Sequence, residues 1–315
     1  MILIEMEGCR VGDRDIFRCG VEKIILFLIF LMLSPLHASA SESDFDSDLD
    51  RIKEMGVLRH IGVPYANFVT GQGDGLDVEL MQHFARYLGV RYEFVESNWN
   101  RIFAELTGRI VKPAGNDVLV VGRAHIRGDV IANGLTILKW RKQVVNFSEP
   151  TFPTQVWCIA RTGFPKNPIK SSGNIDQDIR ATKALIKGHT VMGKENTCLA
   201  PDLYGIDAGR VNIFSFPGEL KDMASAVIKG AAEITLLDVP DTLVALEKWP
   251  GKIKVLGPVS MKQLMAAGFR KDSPELLKAF NKFFAELNKS GEYLRMVQKY
   301  YPAVFFYYED FFTRD

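Results

Sequence analysis

A glycine, a threonine and an arginine stand at positions 134, 136 and 141 in the run Asn-Gly-Leu-Thr-Ile-Leu-Lys-Trp-Arg. Those three types at that spacing suit one chemical task, the grip of a carboxylate. The Arg141 guanidinium presents a planar fork that matches a carboxylate with two parallel hydrogen bonds. Thr136 adds a short hydroxyl bond, and Gly134 lets a ligand approach the backbone. The same residues also fit a plainer arrangement, a strand end followed by a helical turn with a surface arginine, and the residue types alone leave both open. Other chemistry is thinner. Gly71, Gly73 and Gly75 lack the Gly-x-Gly-x-x-Gly spacing of a dinucleotide loop, and Asp74 and Asp77 beside them would repel phosphate. His60, His83, His125 and His189 have no metal-ligand spacing, and no Ser-His-Asp or Cys-His arrangement follows from residue order. No metal or cofactor is therefore expected.

The elements that must position Thr136 and Arg141 follow from periodicity. Strand-like and helix-like patterns alternate along the chain, which points to an α/β architecture. An acidic helix capped by Ser47 runs to Met55 and stops at Gly56. A strand over 57–63 precedes a helix from Leu76, whose Val78, Met81, Phe84, Ala85 and Leu88 fall on one face. A strand over 90–95 leads to Trp99 and a helix through Leu106. Residues 108–127, rich in glycine, proline and charge, read as a β-hairpin with its turn at Ala114 to Asp117. A strand over 129–132 then delivers Gly134. A second alternating run spans Val156 to Pro258, and a strand over 264–269 with helices over 273–288 and 291–300 closes the chain. The aromatic tail, Ala303 to Phe312, is expected to pack over the first lobe.

About half the residues are apolar and the formal net charge is +1. A chain so balanced, with scattered lysines, lacks the basic field that nucleic acid requires. Ile24 to Leu33 is an unbroken apolar run of ten residues, preceded by Lys23 and followed by Ala38-Ser39-Ala40. It reads as a secretory signal within residues 1–40, cleaved after Ala40, and is short of the roughly 20 residues of a membrane span. Residues 1–20 are too long and too mixed in charge for a signal's leading region, so Val21 is the expected start and Cys9 and Cys19 fall outside the product. The remaining Cys158 and Cys198 are expected as buried free thiols.

Several of these segments, in this order, resemble the bacterial extracellular solute-binding proteins of the polar amino-acid transporter class. Leu58 to Phe68 (LRHIGVPYANF), Leu76 to Gly89 (LDVELMQHFARYLG), Gly134 to Pro150, Val191 to Thr197 (VMGKENT), Leu236 to Asp241 (LLDVPD) and Ser290 to Pro302 (SGEYLRMVQKYYP) carry the likeness. Asn196 stands where glycine is usual, and asparagine tolerates the left-handed conformation. The resemblance implies a two-lobed periplasmic-binding-protein type II-like α/β fold with a ligand cleft between the lobes. Lobe 1 would comprise 41–150 and 266–315, lobe 2 would comprise 156–260, and 151–155 and 261–265 would be two hinge crossings. Gly134, Thr136 and Arg141 would hold the α-carboxylate of an amino-acid-like ligand. Asp238 would take its ammonium or cap the following helix, Thr197 would offer a hydroxyl at a helix N-terminus, and Tyr65 and Trp99 would form aromatic walls. The implied product is a monomeric periplasmic or extracellular binder that delivers its ligand to an ABC transporter permease by hinge closure. A cyclohexadienyl-dehydratase-like lyase with Glu195 as its acid, and a sensory module for a partner receptor, stay open beside it. Two departures bear on the ligand: the 108–127 insertion, and Gly62 where some relatives carry an aspartate.

Overall fold

Ser47 and Gly56 bound the first helix as their types require: the Ser47 hydroxyl accepts the Asp50 N–H, and Gly56 closes the helix at φ 65°. This computed structural model describes residues 47–313. The signal segment read from the sequence lies outside the described residues. From the first helix, α1 (Asp48–Met55), the chain runs through β1 (Val57–Gly62), α2 (Leu76–Leu88), β2 (Arg91–Glu96), α3 (Ile102–Thr107), β3 (Arg109–Ala114) and β4 (Asp117–Arg123). Next come β5 (Val130–Ile131), α4 (Lys139–Val144), β6 (Asn146–Phe147), β7 (Phe152–Thr154) and β8 (Val156–Arg161). They are followed by α5 (Ile175–Leu185), β9 (Thr190–Gly193), β10 (Asn212–Ser215), α6 (Met223–Ile228), β11 (Ile234–Asp238), α7 (Val239–Lys248) and β12 (Ile253–Pro258). The chain closes with β13 (Gln263–Met265), β14 (Gly268–Phe269), α8 (Pro274–Lys289), α9 (Glu292–Tyr300) and α10 (Phe305–Phe312).

Two five-stranded sheets make two lobes. The first has the order β2-β1-β5-β14-β6, and the second β10-β9-β11-β8-β12. In the first, β1 lies parallel to β2 and β5 while β14 runs antiparallel to β5 and β6. In the second, β9 is parallel to β10 and β11, and β8 is antiparallel to β11 and β12. The central strands β8 and β11 are buried along almost their whole length, which is why they read as apolar runs rather than as alternation. Between the two sheets in sequence lies a separate antiparallel ribbon in which Phe152 pairs with Met265 and Thr154 with Gln263. The strand expected over 264–269 is broken in two. Met265 pairs back to β7 whereas Gly268 pairs with Ile131, so the chain leaves the ribbon and joins the first sheet within three residues.

Residues 109–123 form the expected hairpin, closed by the pair Ala114 and Asp117. The aromatic tail departs from expectation. Beyond the first lobe, Phe312 packs on Phe152 of the ribbon at 5.5 Å and Tyr307 on Trp157 of the second sheet at 5.3 Å between ring centroids. Tyr308 is buried on that inner side while Phe306 is 88% exposed, so the aromatic content reflects one face that covers the ribbon. Among the described residues no helix is long and apolar enough to cross a membrane.

Candidate functional site

The carboxyl ends of β1, β5 and β11 deliver Tyr65, Asn133 to Arg141, and Asp238, the strand ends where open α/β sheets place their ligand chemistry. Asn133 to Thr136 continues from β5, and Thr136 forms an antiparallel bridge with Met265 while Ile137 donates to the Leu264 carbonyl. The ribbon thus fixes the segment that leads into α4 and Arg141.

Arg141 is the largest fully buried side chain among the described residues. Its guanidinium carbon stands 5.5, 5.6 and 5.4 Å from the ring centroids of Trp99, Phe103 and Trp140, an aromatic cage that suits a weakly hydrated planar cation. Nη1 donates to the Thr136 carbonyl at 2.9 Å, while Nε and Nη2 have no partner. A surface arginine is therefore excluded. Burial pulls its pKa below the ordinary value, as desolvation disfavours the cation.

The groups around it share its condition. The Thr136 hydroxyl is buried beside the Cys198 thiol with no completed hydrogen bond. Both amide atoms of Asn133 and the indole N–H of Trp99 lack partners. Trp99 meets Tyr65 edge-on at 6.0 Å. The Tyr65 hydroxyl lies within reach of the Asp238 carboxylate and near Asp241. From the second lobe, Asp238 does two things at once. One carboxylate oxygen caps α7 by accepting the Asp241 N–H at 3.2 Å, and the other, Oδ2, is buried and unpaired. Burial pushes Asp238 up to about 6. Buried polar atoms are nearly always paired, and each left open costs about 1–3 kcal/mol. Unpaired donors on Arg141 and Thr136 and an unpaired acceptor on Asp238, all neighbours of Cys198, are the groups that a small molecule with both a carboxylate and a cation would satisfy.

Two assigned positions differ from expectation. Thr197 precedes no α-helix: the next element is a 3-10 turn at Pro201–Tyr204, and its hydroxyl is spent on the Lys194 carbonyl at 2.8 Å and the Leu199 N–H at 3.1 Å. The neighbouring Asn196 does adopt φ 61°. Gly134, at φ 66°, owes its identity to packing. A Cβ there would lie 2.4 Å from the Phe68 ring, and its N–H is taken by Asp77 Oδ2 at 2.7 Å. Glu195, the acid that lyase chemistry would use, is exposed and lines an open cavity of about 620 Å³ with Trp140, Thr197 and the hairpin residues Pro113 and Asn116. A cavity of about 690 Å³ lies elsewhere, under Phe311 and Phe312 beside Thr151, and none of the unpaired groups lines it.

The sequence assigns no site role to Phe103, Trp140, Asn133, Asp77 or Asp241; ring contacts mark Phe103 and Trp140, unpaired atoms mark Asn133 and Asp241, and the buried bond to the Gly134 N–H marks Asp77. Cys158 and Cys198 are both buried free thiols. Among the described residues no group of three or more His, Cys, Asp or Glu could hold a metal ion.

Asp77 yields a pH prediction. Burial pushes its carboxyl up to about 7 despite the Gly134 hydrogen bond, whereas an unfolded aspartate titrates near 3.9. The folded state therefore holds the proton more tightly, and stability should fall as pH rises from about 4 to about 7, then level off. Asp238 acts in the same direction. Asp241 does so too, so Asp77→Asn should flatten only its share of that slope in urea midpoints, and an unchanged slope would remove Asp77 as a source.

Residues 110–303, more than half of the chain, match the family model for bacterial extracellular solute-binding proteins, family 3. Membrane-bound lytic murein transglycosylase F of Pseudomonas putida is 29% identical over 265 residues, which are 82% of this chain and 49% of that protein. The chain spans about half the length of such relatives. The L-cystine-binding protein TcyJ of Escherichia coli is 25% identical over 285 residues, 88% of this chain and 95% of TcyJ. Among solved structures, the P235GK mutant of ArgBP from T. maritima superposes with a TM-score of 0.63 at 23% identity, covering 81% of this chain and 99% of ArgBP.

Proposed function

We propose, for a chain that belongs to the bacterial extracellular solute-binding proteins of family 3, that it captures a small amino-acid-like solute between its lobes and passes it to a membrane permease. One observation carries this reading: Arg141, Thr136 and Asp238 all neighbour the buried Cys198 thiol, and each keeps a buried polar atom unpaired. Arg141 and Thr136 bind the ligand carboxylate, Asp238 its ammonium, Trp99 and Tyr65 wall the site, and the Gly134 and Thr197 turns shape its two edges. The ribbon of β7 and β13 is the hinge, with 151–155 and 261–265 as crossings between lobes 41–150 plus 266–315 and 156–260. A ligand that touches both lobes favours the closed state because only there are all its contacts made. Such a protein works in the periplasm or outside the cell, where a permease can receive its cargo.

Thermal-shift screening over amino acids tests capture. A true ligand at about 100 times its dissociation constant should add about 2.7 kcal/mol of stability. Small-angle scattering with that ligand should show a smaller radius of gyration; an unchanged radius at saturation would argue against hinge closure. A second reading is favoured by the length relation to the transglycosylase relatives, about half of whose length is matched. The same two lobes would then serve as a sensing module beside an enzyme domain. Soluble peptidoglycan fragments in the same screen separate the two: stabilisation by a fragment and by no amino acid would favour sensing.

A further inference from the structure

We infer that the aromatic helix α10 is a clasp across the hinge: rooted in lobe 1, it grips the ribbon and the first strand of lobe 2 and holds the lobes closed before any ligand arrives. This rests on the reading of the ribbon of β7 and β13 as the hinge. The root of the clasp is both polar and aromatic. Asn67 donates its backbone N–H to the Tyr301 hydroxyl and its side-chain amide to the Tyr300 carbonyl, both at 2.8 Å, and the Tyr301 ring packs on Phe68 and Phe152 at 5.0 Å. Beyond it the helix is broken at Tyr308, whose φ of −143° and ψ of 34° are not helical, so its two halves reach different partners. Tyr307 packs on Trp157 of β8 and Phe312 on Phe152 of β7, while the Lys262 ammonium of the second crossing stands 5.2 Å from the centre of the Tyr308 ring.

These contacts fall where a hinge would bend. The Trp157 indole N–H donates to the Gln155 side chain at 2.9 Å, the Gln155 amide donates to the Ser260 carbonyl at 2.8 Å, and the Ser260 hydroxyl accepts the Val156 N–H at 2.9 Å. Gln155 and Ser260 are themselves buried. Tyr307 therefore lies against the network that ties one crossing to the other. Leu243, Val244 and Leu246 of α7 share a groove of about 380 Å³ with Tyr301, Phe306 and Tyr307, so the tail borders two elements of lobe 2. Arg141, Thr136 and Asp238 are wholly buried in the same arrangement, which makes it the closed one. The tail thus joins the lobes at a place apart from the groups that would hold a ligand. One aromatic pair is enough to change a two-state ratio about twofold to tenfold, and a larger closed fraction raises apparent affinity in proportion.

Cys198 can report the separation of the lobes. Its thiol is 3% exposed and neighbours Arg141 and Thr136 of lobe 1, whereas Cys158, at 0%, lies in the buried run of β8. Opening bares the first, and only unfolding bares the second. Alkylation of the full chain by N-ethylmaleimide, followed peptide by peptide by mass spectrometry, is the test, and it needs no ligand. Tyr307→Ala and Phe312→Ala should each speed modification of Cys198 about twofold to tenfold and leave Cys158 unchanged. Tyr307→Phe, which keeps the ring, and Phe306→Ala, which removes a ring that is 88% exposed, should match wild type. Cys198 rates unmoved in both tail variants, or Cys158 rising in step with Cys198, would overturn the clasp. Gln155→Ala cuts the tie between the crossings and separates this failure from that of the hinge reading. Acceleration of Cys198 by Gln155→Ala alone removes the clasp and keeps the hinge; no acceleration in any variant removes both.

Discussion

Arg141→Ala should weaken binding of a carboxylate-bearing ligand by about 2 to 5 kcal/mol, because the variant leaves that carboxylate buried and unpaired. This is a loss in affinity of roughly thirtyfold to several thousandfold. The size follows from burial: Nε and Nη2 have no protein partner, and water is excluded from them. Arg141→Lys should rescue only in part. Lysine keeps the charge but has no fork, and its compact ammonium stacks less well among Trp99, Phe103 and Trp140. Melting temperatures measured alongside calorimetry separate ligand loss from unfolding. Unaltered affinity in a folded alanine variant would sink the assignment of this site.

The second large effect is on stability. Gly134→Ala should cost about 2 to 5 kcal/mol, the sum of two penalties of different origin. A left-handed backbone costs a residue with a Cβ about 1–2 kcal/mol, and Gly134 sits at φ 66°. The added methyl would also meet the Phe68 ring at 2.4 Å, and forced overpacking costs typically about 1–3 kcal/mol. Phe68 cannot yield freely, since it is packed against Phe152 at 5.1 Å and Tyr301 at 5.0 Å. Pairing Gly134→Ala with Phe68→Leu should recover the steric part and leave the conformational part. A single variant as stable as wild type in urea would refute this account.

The amino-acid sequence by itself determined the alternation of strands and helices, the caps at Ser47 and Gly56, and the hairpin turn at Ala114 to Asp117. Each depends on neighbours within a few residues, which is where periodicity and turn chemistry act. It also singled out Arg141 and Asp238, because few residue types can hold a carboxylate or an ammonium. Tertiary structure decided what those residues face. Arg141 is a caged, half-paired cation only because Trp99 and Phe103, from a segment about forty residues earlier, close on it beside its chain neighbour Trp140. Thr197 spends its hydroxyl on its own turn, and Gly134 is glycine because of a phenylalanine 66 residues earlier in the chain. Asp241 and Asp77 look like ordinary first-turn acids of α7 and α2 in sequence. Burial turns one into an unpaired carboxylate and the other into the acceptor that pins the Gly134 turn. Local propensity acts through the next few residues, whereas desolvation and unmet hydrogen bonds exist only once distant segments have met.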